Sequence, residues 1–227
     1  MSFSPEQTLF LSLKVAFTAM LINLPWGLWL GWFLARKQFR GKMLLDTLVN
    51  LPLVLPPVVT GYFLLIVFGR EGLLGRWLFD AFGLALSFTW QAAALAAAVV
   101  SFPLYVRSVR VAIENVDPRL EEAARVLRAG RWQVFRRITL PLSINGVIAG
   151  LILAFARSLG EFGATIMVAG NIPGETQTIP LAIFSLVNQP SGERSAMILI
   201  LISILFSYAG LALSEYWLRR WKRQSAE

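Results

Sequence analysis

The chain has 227 residues, 56% of them hydrophobic and 15% charged, with a mean hydropathy of +0.64 and a net charge of +8. A soluble domain carries about a quarter charged residues, so this composition holds more apolar surface than one globular core can hide, and it excludes an ordinary soluble enzyme. His and Cys are absent, which removes metal sites built on those ligands, Ser-His-Asp and Cys-His nucleophiles and any disulfide framework.

A bilayer core about 30 Å thick is crossed by roughly 20 apolar residues in a helix. Five stretches satisfy this, at about 9–34, 46–69, 84–106, 142–169 and 195–217. The first has no basic region before it and its positive charges follow it, so it is expected to remain as a span rather than act as a cleaved signal peptide. Lys14 lies a turn inside its outer end, where its stem can snorkel to the headgroups. Gly27 and Gly31 are spaced for close helix approach. The second stretch contains Pro52, Pro56 and Pro57, which remove backbone donors and are expected to kink one continuous span. The carbonyls freed near residues 52 and 53 then need partners, because lipid supplies none; Thr60 or a neighbouring helix is the candidate. The kink reads equally as structural or as part of a pathway. The third stretch carries an alanine cluster at 92–98, a packing feature.

The connection 107–141 is far longer than a turn. Asp117-Pro118 reads as N-cap and first position of a helix. Leu120, Ala123, Ala124 and Leu127 then form one apolar stripe at helical spacing. Gly130 is expected to end that helix, and Trp132, Phe135 and Ile138 begin a second stripe before Leu140-Pro141. The pattern predicts a short helical hairpin, either docked on another protein or lying on anionic lipid. The fourth stretch contains Gly146 and Gly150 at packing spacing and, near its middle, Arg157 and Glu161 four residues apart on one face. Intramembrane charges face the bundle interior and mark pathways or fixed partners; both readings stay open for this pair. The nine-residue run Ile179–Val187 is too short to cross and predicts a short helix at one interface.

Basic residues set the orientation. Sixteen Lys and Arg lie on the side of the 107–141 connection and three on the other, with Lys14 and Arg157 inside spans. By the positive-inside rule the N-terminus is expected outside, and the hairpin and C-terminus in the cytoplasm. The same asymmetry accounts for the basic charge with no nucleic-acid partner.

Glu122-Ala123-Ala124 followed by Ile138-Thr139-Leu140-Pro141 resembles the "EAA" loop of bacterial ABC importer permeases. Three further segments, Leu51 to Tyr62, Arg157 to Thr165 and Gly170 to Thr176, resemble the molybdate branch of that family; sulfate permeases share much of the pattern. The resemblance implies an all-α membrane protein of the type I importer permease fold, read as a single permease domain over 1–227. It would carry molybdate by alternating access in the bacterial cytoplasmic membrane, with sulfate or tungstate as alternative oxyanions. It also implies a homodimer, two ABC ATPase subunits, a periplasmic molybdate-binding protein, surrounding membrane lipid and no cofactor. The ATPase-coupling residues would be Glu122, Ala123, Ala124, Arg128, Gly130, Ile138, Leu140 and Pro141. The family carries Gly at the position of Arg128, so the tight turn is expected to have moved to Gly130. Candidates for the pathway or an intramembrane pair are Arg157, Glu161, Pro56, Pro57, Thr60, Asn145 and Ser158, with Asn23, Asn50 and Ser101 as further oxyanion donors. A membrane scaffold without transport is the reading from another class.

Overall fold

The computed structural model describes residues 5–190 and 192–224, with side-chain environments described as far as residue 216. In chain order the helices are α1 (Pro5–Arg36), α2 (Lys42–Val54), α3 (Pro57–Phe68), α4 (Leu73–Phe82), α5 (Trp90–Glu114), α6 (Pro118–Val126), α7 (Arg131–Val134), α8 (Leu140–Leu159), α9 (Gly163–Ala169), α10 (Ile179–Val187) and α11 (Glu193–Gln224). No strand occurs among the described residues. The basic side chains of Arg219, Arg220, Lys222 and Arg223 lie outside the described set.

Four helical runs are long and apolar enough to cross a bilayer: Pro5–Arg36, Trp90–Glu114, Arg131–Leu159 and Glu193–Tyr216. The pair α2 and α3 is long and apolar enough only when taken together, and it is bent by 112°. The expected kink is therefore a full break. Pro56 and Pro57 have no N–H to give the carbonyls of Pro52 and Leu53, and Leu55 leaves the helix with extended backbone at φ −68°, ψ 141°.

The fourth apolar stretch is also two helices. Stretch 142–169 looks continuous by hydropathy, yet α8 stops at Leu159 and α9 starts at Gly163. At its other end α8 begins earlier than expected, because α7, a π-helical turn (Phe135–Thr139) and α8 form one helical run. The π turn has a local cause. Leu140 donates its N–H to the Phe135 carbonyl five residues back, just before Pro141, which has no N–H to continue the ordinary ladder.

The third span starts at Trp90 rather than 84, where the Thr89 hydroxyl accepts from Ala92 N at 3.3 Å and caps the helix. It continues to Glu114, well into the connection assigned to the hairpin. Helix α4, in the connection 70–83, is an element the apolar pattern did not announce.

Helix α5 is the central post, with α1, α8 and α9 packed around it. Its alanines, Ala92–Ala94 and Ala96–Ala98, are almost fully buried against α1 and α9. Both glycine pairs close on the same helix. A Cβ on Gly31 would meet the Val109 side chain at 2.6 Å, and a Cβ on Gly146 or Gly150 would meet Ala112 or Ser108 at 2.5 Å. Gly27 lies against the Tyr105 ring. Four glycines on two helices thus let three helix axes come together. Helix α11 packs on α8, where Ser214 donates to the Ala149 carbonyl at 3.2 Å, and α10 is tied to α1 by Ile179 N donating to Ser12 Oγ at 2.8 Å. The expected short helix at 179–187 is present with those bounds.

Candidate functional site

The hairpin is built as its capping residues dictate. Asp117 accepts from Arg119 N at 2.9 Å and Pro118 occupies the first turn of α6. The helix ends on a Schellman motif: Ala129 N donates to Ala124 O at 3.0 Å and Arg128 N to Arg125 O at 2.9 Å. Arg128 itself takes the left-handed conformation, with φ 63°. The turn has not moved to Gly130, which has φ −66° and serves as N-cap of α7, its N–H donating to Gln133 Oε1 at 3.1 Å. Six residues of ladder demand a positive φ at one position only, and the chain pays it with an arginine, about 1 kcal/mol or more above glycine.

The faces of α6 are also not as its stripe implies. Leu120 is 48% exposed and Leu127 83% exposed, and Glu122 and Ala123 point outward with them, while Ala124 is half-buried. Val126 and Trp132 extend this apolar exposed surface, beside Arg125, Arg128 and Arg131. Ile138 and Leu140 are half-buried and Pro141 is exposed at the root of α8.

The buried residue of α6 is Glu121, 4% exposed. Its Oε1 accepts from Arg36 Nε at 3.0 Å and from the Thr139 hydroxyl at 2.8 Å, and Arg36 Nη2 lies 3.0 Å from the same oxygen. Arg36 Nη2 also donates to the Val116 carbonyl at 2.9 Å. Arg125 approaches Oε2 at 3.6 Å. Three elements distant in sequence therefore meet on one carboxylate. Reading the sequence misses it, because Glu121 stands beside Glu122 and nothing local says which of the two turns inward.

Within the spans, the two broken segments meet each other. A Cβ on Gly61 would touch the Ala164 backbone at 2.5 Å, and one on Gly163 would touch Pro57 at 2.9 Å. Helix α3 thus crosses α9 backbone against backbone, just past each break. Thr60, 6% exposed, sits at this crossing with its hydroxyl unpartnered, so it does not serve the carbonyls freed by the prolines. Pro56 and Pro57 are exposed on this chain.

Arg157 and Glu161 do pair, Nη1 to Oε2 at 2.9 Å, with side-chain exposures of 34% and 2%. They are not on one helix face, since Glu161 lies in the break. Its other oxygen accepts from Ala164 N at 2.9 Å and caps α9. The carboxylate therefore ends one helix and begins the next.

Three of the expected oxyanion donors are used inside the fold. Asn23 Nδ2 donates to Ala98 O and Ser101 Oγ, both at 3.0 Å, and the Ser158 and Ser101 hydroxyls lie 3.0 Å apart. With exposures of 2%, 1% and 4%, Asn23, Ser101 and Ser158 join α1, α5 and α8 rather than face a lumen. Asn50 bonds back to Asp46, and Asn145 is half-buried on α8. Asp46 in turn receives Arg110 Nη1 at 2.9 Å, tying α2 to α5, another long-range pair invisible to spacing. Lys14, expected to snorkel, stands with Nζ 3.6 Å from the Trp90 ring centre.

Comparison with known proteins agrees with this architecture. The chain is 55% identical over 223 residues to the molybdenum transport system permease protein ModB of Escherichia coli (strain K12), covering 98% of this chain and 97% of that protein. It is 39% identical over 201 residues to the sulfate transport system permease protein CysT of the same strain, covering 87% and 72% respectively. Among solved structures, an inward-facing form of the MetNI methionine ABC transporter matches with a TM-score of 0.67 at 18% identity, covering 92% of this chain and 94% of that one, which is a likeness of fold. The family profile of the binding-protein-dependent transport system inner membrane component matches residues 23–223. With four helical runs apolar enough to cross a bilayer, the bent pair α2 and α3 and a helical hairpin between α5 and α8, the chain belongs to the family of binding-protein-dependent transport system inner membrane components.

Proposed function

We propose that the chain is the transmembrane subunit of an ATP-driven importer that carries molybdate across the cytoplasmic membrane. The observation that carries this is the 55% identity to a molybdenum permease over 98% of the chain, well above the 39% to a sulfate permease. The chain forms a single permease domain and hydrolyses no ATP itself; separate ATPase subunits dock on the hairpin. Its exposed Leu120, Val126, Leu127 and Trp132, flanked by arginines, support a protein partner there, since apolar side chains of that size are seldom left in water on a charged surface. Glu122, Ala123, Ala124, Arg128 and Gly130 lie on or beside that surface, and Ile138, Leu140 and Pro141 connect it to α8.

The N-terminus lies outside and the hairpin and C-terminus in the cytoplasm, a reading supported by the sixteen-to-three asymmetry of basic residues. Two copies assemble around the pathway. Helix α2 supports this: it is apolar, half of the broken span, and none of its residues is buried by its own chain. The exposed prolines at the bend would then face the partner copy or the pathway, where a broken helix is tolerated. A periplasmic binding protein delivers the oxyanion from outside. Arg157 and Glu161 act as a structural pair at the break, because a fixed cation in mid-path would hold a dianion too firmly for release.

Uptake of labelled molybdate by cells expressing the chain with its ATPase and binding protein tests the reading. Uptake that excess tungstate suppresses and excess sulfate leaves intact is expected. Suppression by sulfate would assign the chain to the sulfate branch, and absence of any ATP-dependent uptake would leave a scaffold.

A further inference from the structure

The hairpin is covalently joined to α5 through Asn115–Asp117 and to α8 through the helical run 131–159, but it has no chain connection to α1. Its links to α1 are non-covalent: the ring contact of Trp32 with Phe135, and the Arg36 cluster. Within that cluster, Glu121 Oε1 takes Arg36 at the last turn of α1 and Thr139 in the π turn that leads into α8. The Arg36 fork simultaneously holds the Val116 carbonyl in the α5–α6 linker. One buried carboxylate and one largely shielded guanidinium, with side-chain exposures of 6% and 15%, thus clamp the ends of α1, α5 and α8 to the inner face of α6.

We infer that Glu121 and Arg36 are positioning residues for transport, transmitting movement of the hairpin to α1 together with α8; the inference rests on the proposed docking of an ATPase on the hairpin's outer face. The physics is that of a rigid strut. A charge-assisted hydrogen bond in a shielded site is short, directional and costly to open, because both charges would be left without water. A flexible surface pair would slip under load; this one moves with its helix. Adjacent glutamates then divide the work, Glu122 facing the docking surface and Glu121 holding the spans. Without the clamp, displacement of α6 would still reach α8 through the continuous helix but would reach the end of α1 only through the Trp32–Phe135 ring contact and the packing of α1 on α5, so the trio of α1, α5 and α8 would follow the hairpin less faithfully.

The test uses the full complex in proteoliposomes, with molybdate-loaded binding protein, measuring assembly by size exclusion, ATP hydrolysis, and molybdate taken up per ATP hydrolysed. E121Q keeps the side-chain size and loses the charge. It is expected to assemble and to hydrolyse ATP at near the wild-type basal rate, while uptake per ATP falls about tenfold, the worth of one charge-assisted hydrogen bond. R36K keeps the charge but not the fork, and is expected to assemble with a smaller loss. A purely structural anchor would lower the amount of complex without changing uptake per ATP. Uptake per ATP within twofold of wild type in E121Q overturns the proposal. If E121Q fails to assemble, R36K decides by the same ratio, and failure of both to assemble makes the cluster a folding determinant and overturns it too. A wild-type complex with no ATP-driven uptake would instead refute the docking reading beneath it.

Discussion

Glu121 and Glu161 are both carboxylates less than 5% exposed and both paired with an arginine, yet they differ in reach. Glu161 bonds to Arg157 four residues before it and to Ala164 N three residues after it, so everything it needs is in one stretch of chain. Glu121 bonds to Arg36 and Thr139, 85 and 18 residues away. The local carboxylate organises a helix break; the long-range one fastens the hairpin to the spans. The same chemistry in the same degree of burial thus does two jobs, and the separation in sequence decides which.

The largest effect should come from breaking the local pair unevenly. Glu161→Leu leaves Arg157 without a partner and α9 without its cap, at an expected cost of roughly 2–4 kcal/mol. Complex yield and molybdate uptake should both collapse. The double variant Arg157→Leu/Glu161→Leu should recover much of the yield, short by about 1 kcal/mol for the lost cap. A double variant that assembles fully but transports nothing would move Arg157 from structure to substrate contact.

Next comes the outer face of α6, the counterpart of Glu121's inner face. Ala123→Arg should abolish uptake and reduce ATPase copurification about tenfold or more through steric and charge conflict at the docking surface, while membrane insertion persists. Normal transport in that variant would return the hairpin to the lipid surface.

Thr139→Val removes one of Glu121's donors and leaves Arg36 in place. An expected loss of about 1–2 kcal/mol should lower the thermal midpoint of the purified complex by a few degrees; no change in the midpoint would mean that water or Arg125 replaces the hydroxyl. The smallest effect belongs to the hairpin turn. Arg128→Gly relieves a left-handed non-glycine residue and should stabilise the chain by roughly 1 kcal/mol. Destabilisation there would show that the exposed guanidinium contributes more than its backbone costs.

Much of the architecture was legible beforehand because it is local. Apolar length locates the long apolar helices α1, α5, α8 and α11, Asp117-Pro118 starts α6, and the short apolar run at 179–187 is a helix with those bounds. The glycine pairs were readable as packing surfaces, though not that all four residues close on α5. Hydropathy could not see the breaks in the second and fourth spans, since it averages over Pro56-Pro57 and Gly160–Phe162 without weighing backbone donors. The turn lies at Arg128 rather than at the expected Gly130 for a related reason: glycine is the least strained residue at positive φ and stands two positions away, but hydrogen bonds from Ala129 and Arg128 settle where the helix ends.

Composition, periodicity and charge pattern by themselves determine that this is a membrane protein of several apolar helices with a basic helical hairpin among them, because each depends on free energies summed along the chain, of transfer into lipid, of capping and of charge. Only the tertiary structure decided that Asn23, Ser101 and Ser158 are spent on helix contacts, that α3 crosses α9 at Gly61 and Gly163, and that Glu121 turns inward while Glu122 turns out. Those choices depend on which helices meet and at what rotation, and a side chain's partner 85 residues away leaves no periodic trace in the sequence around it.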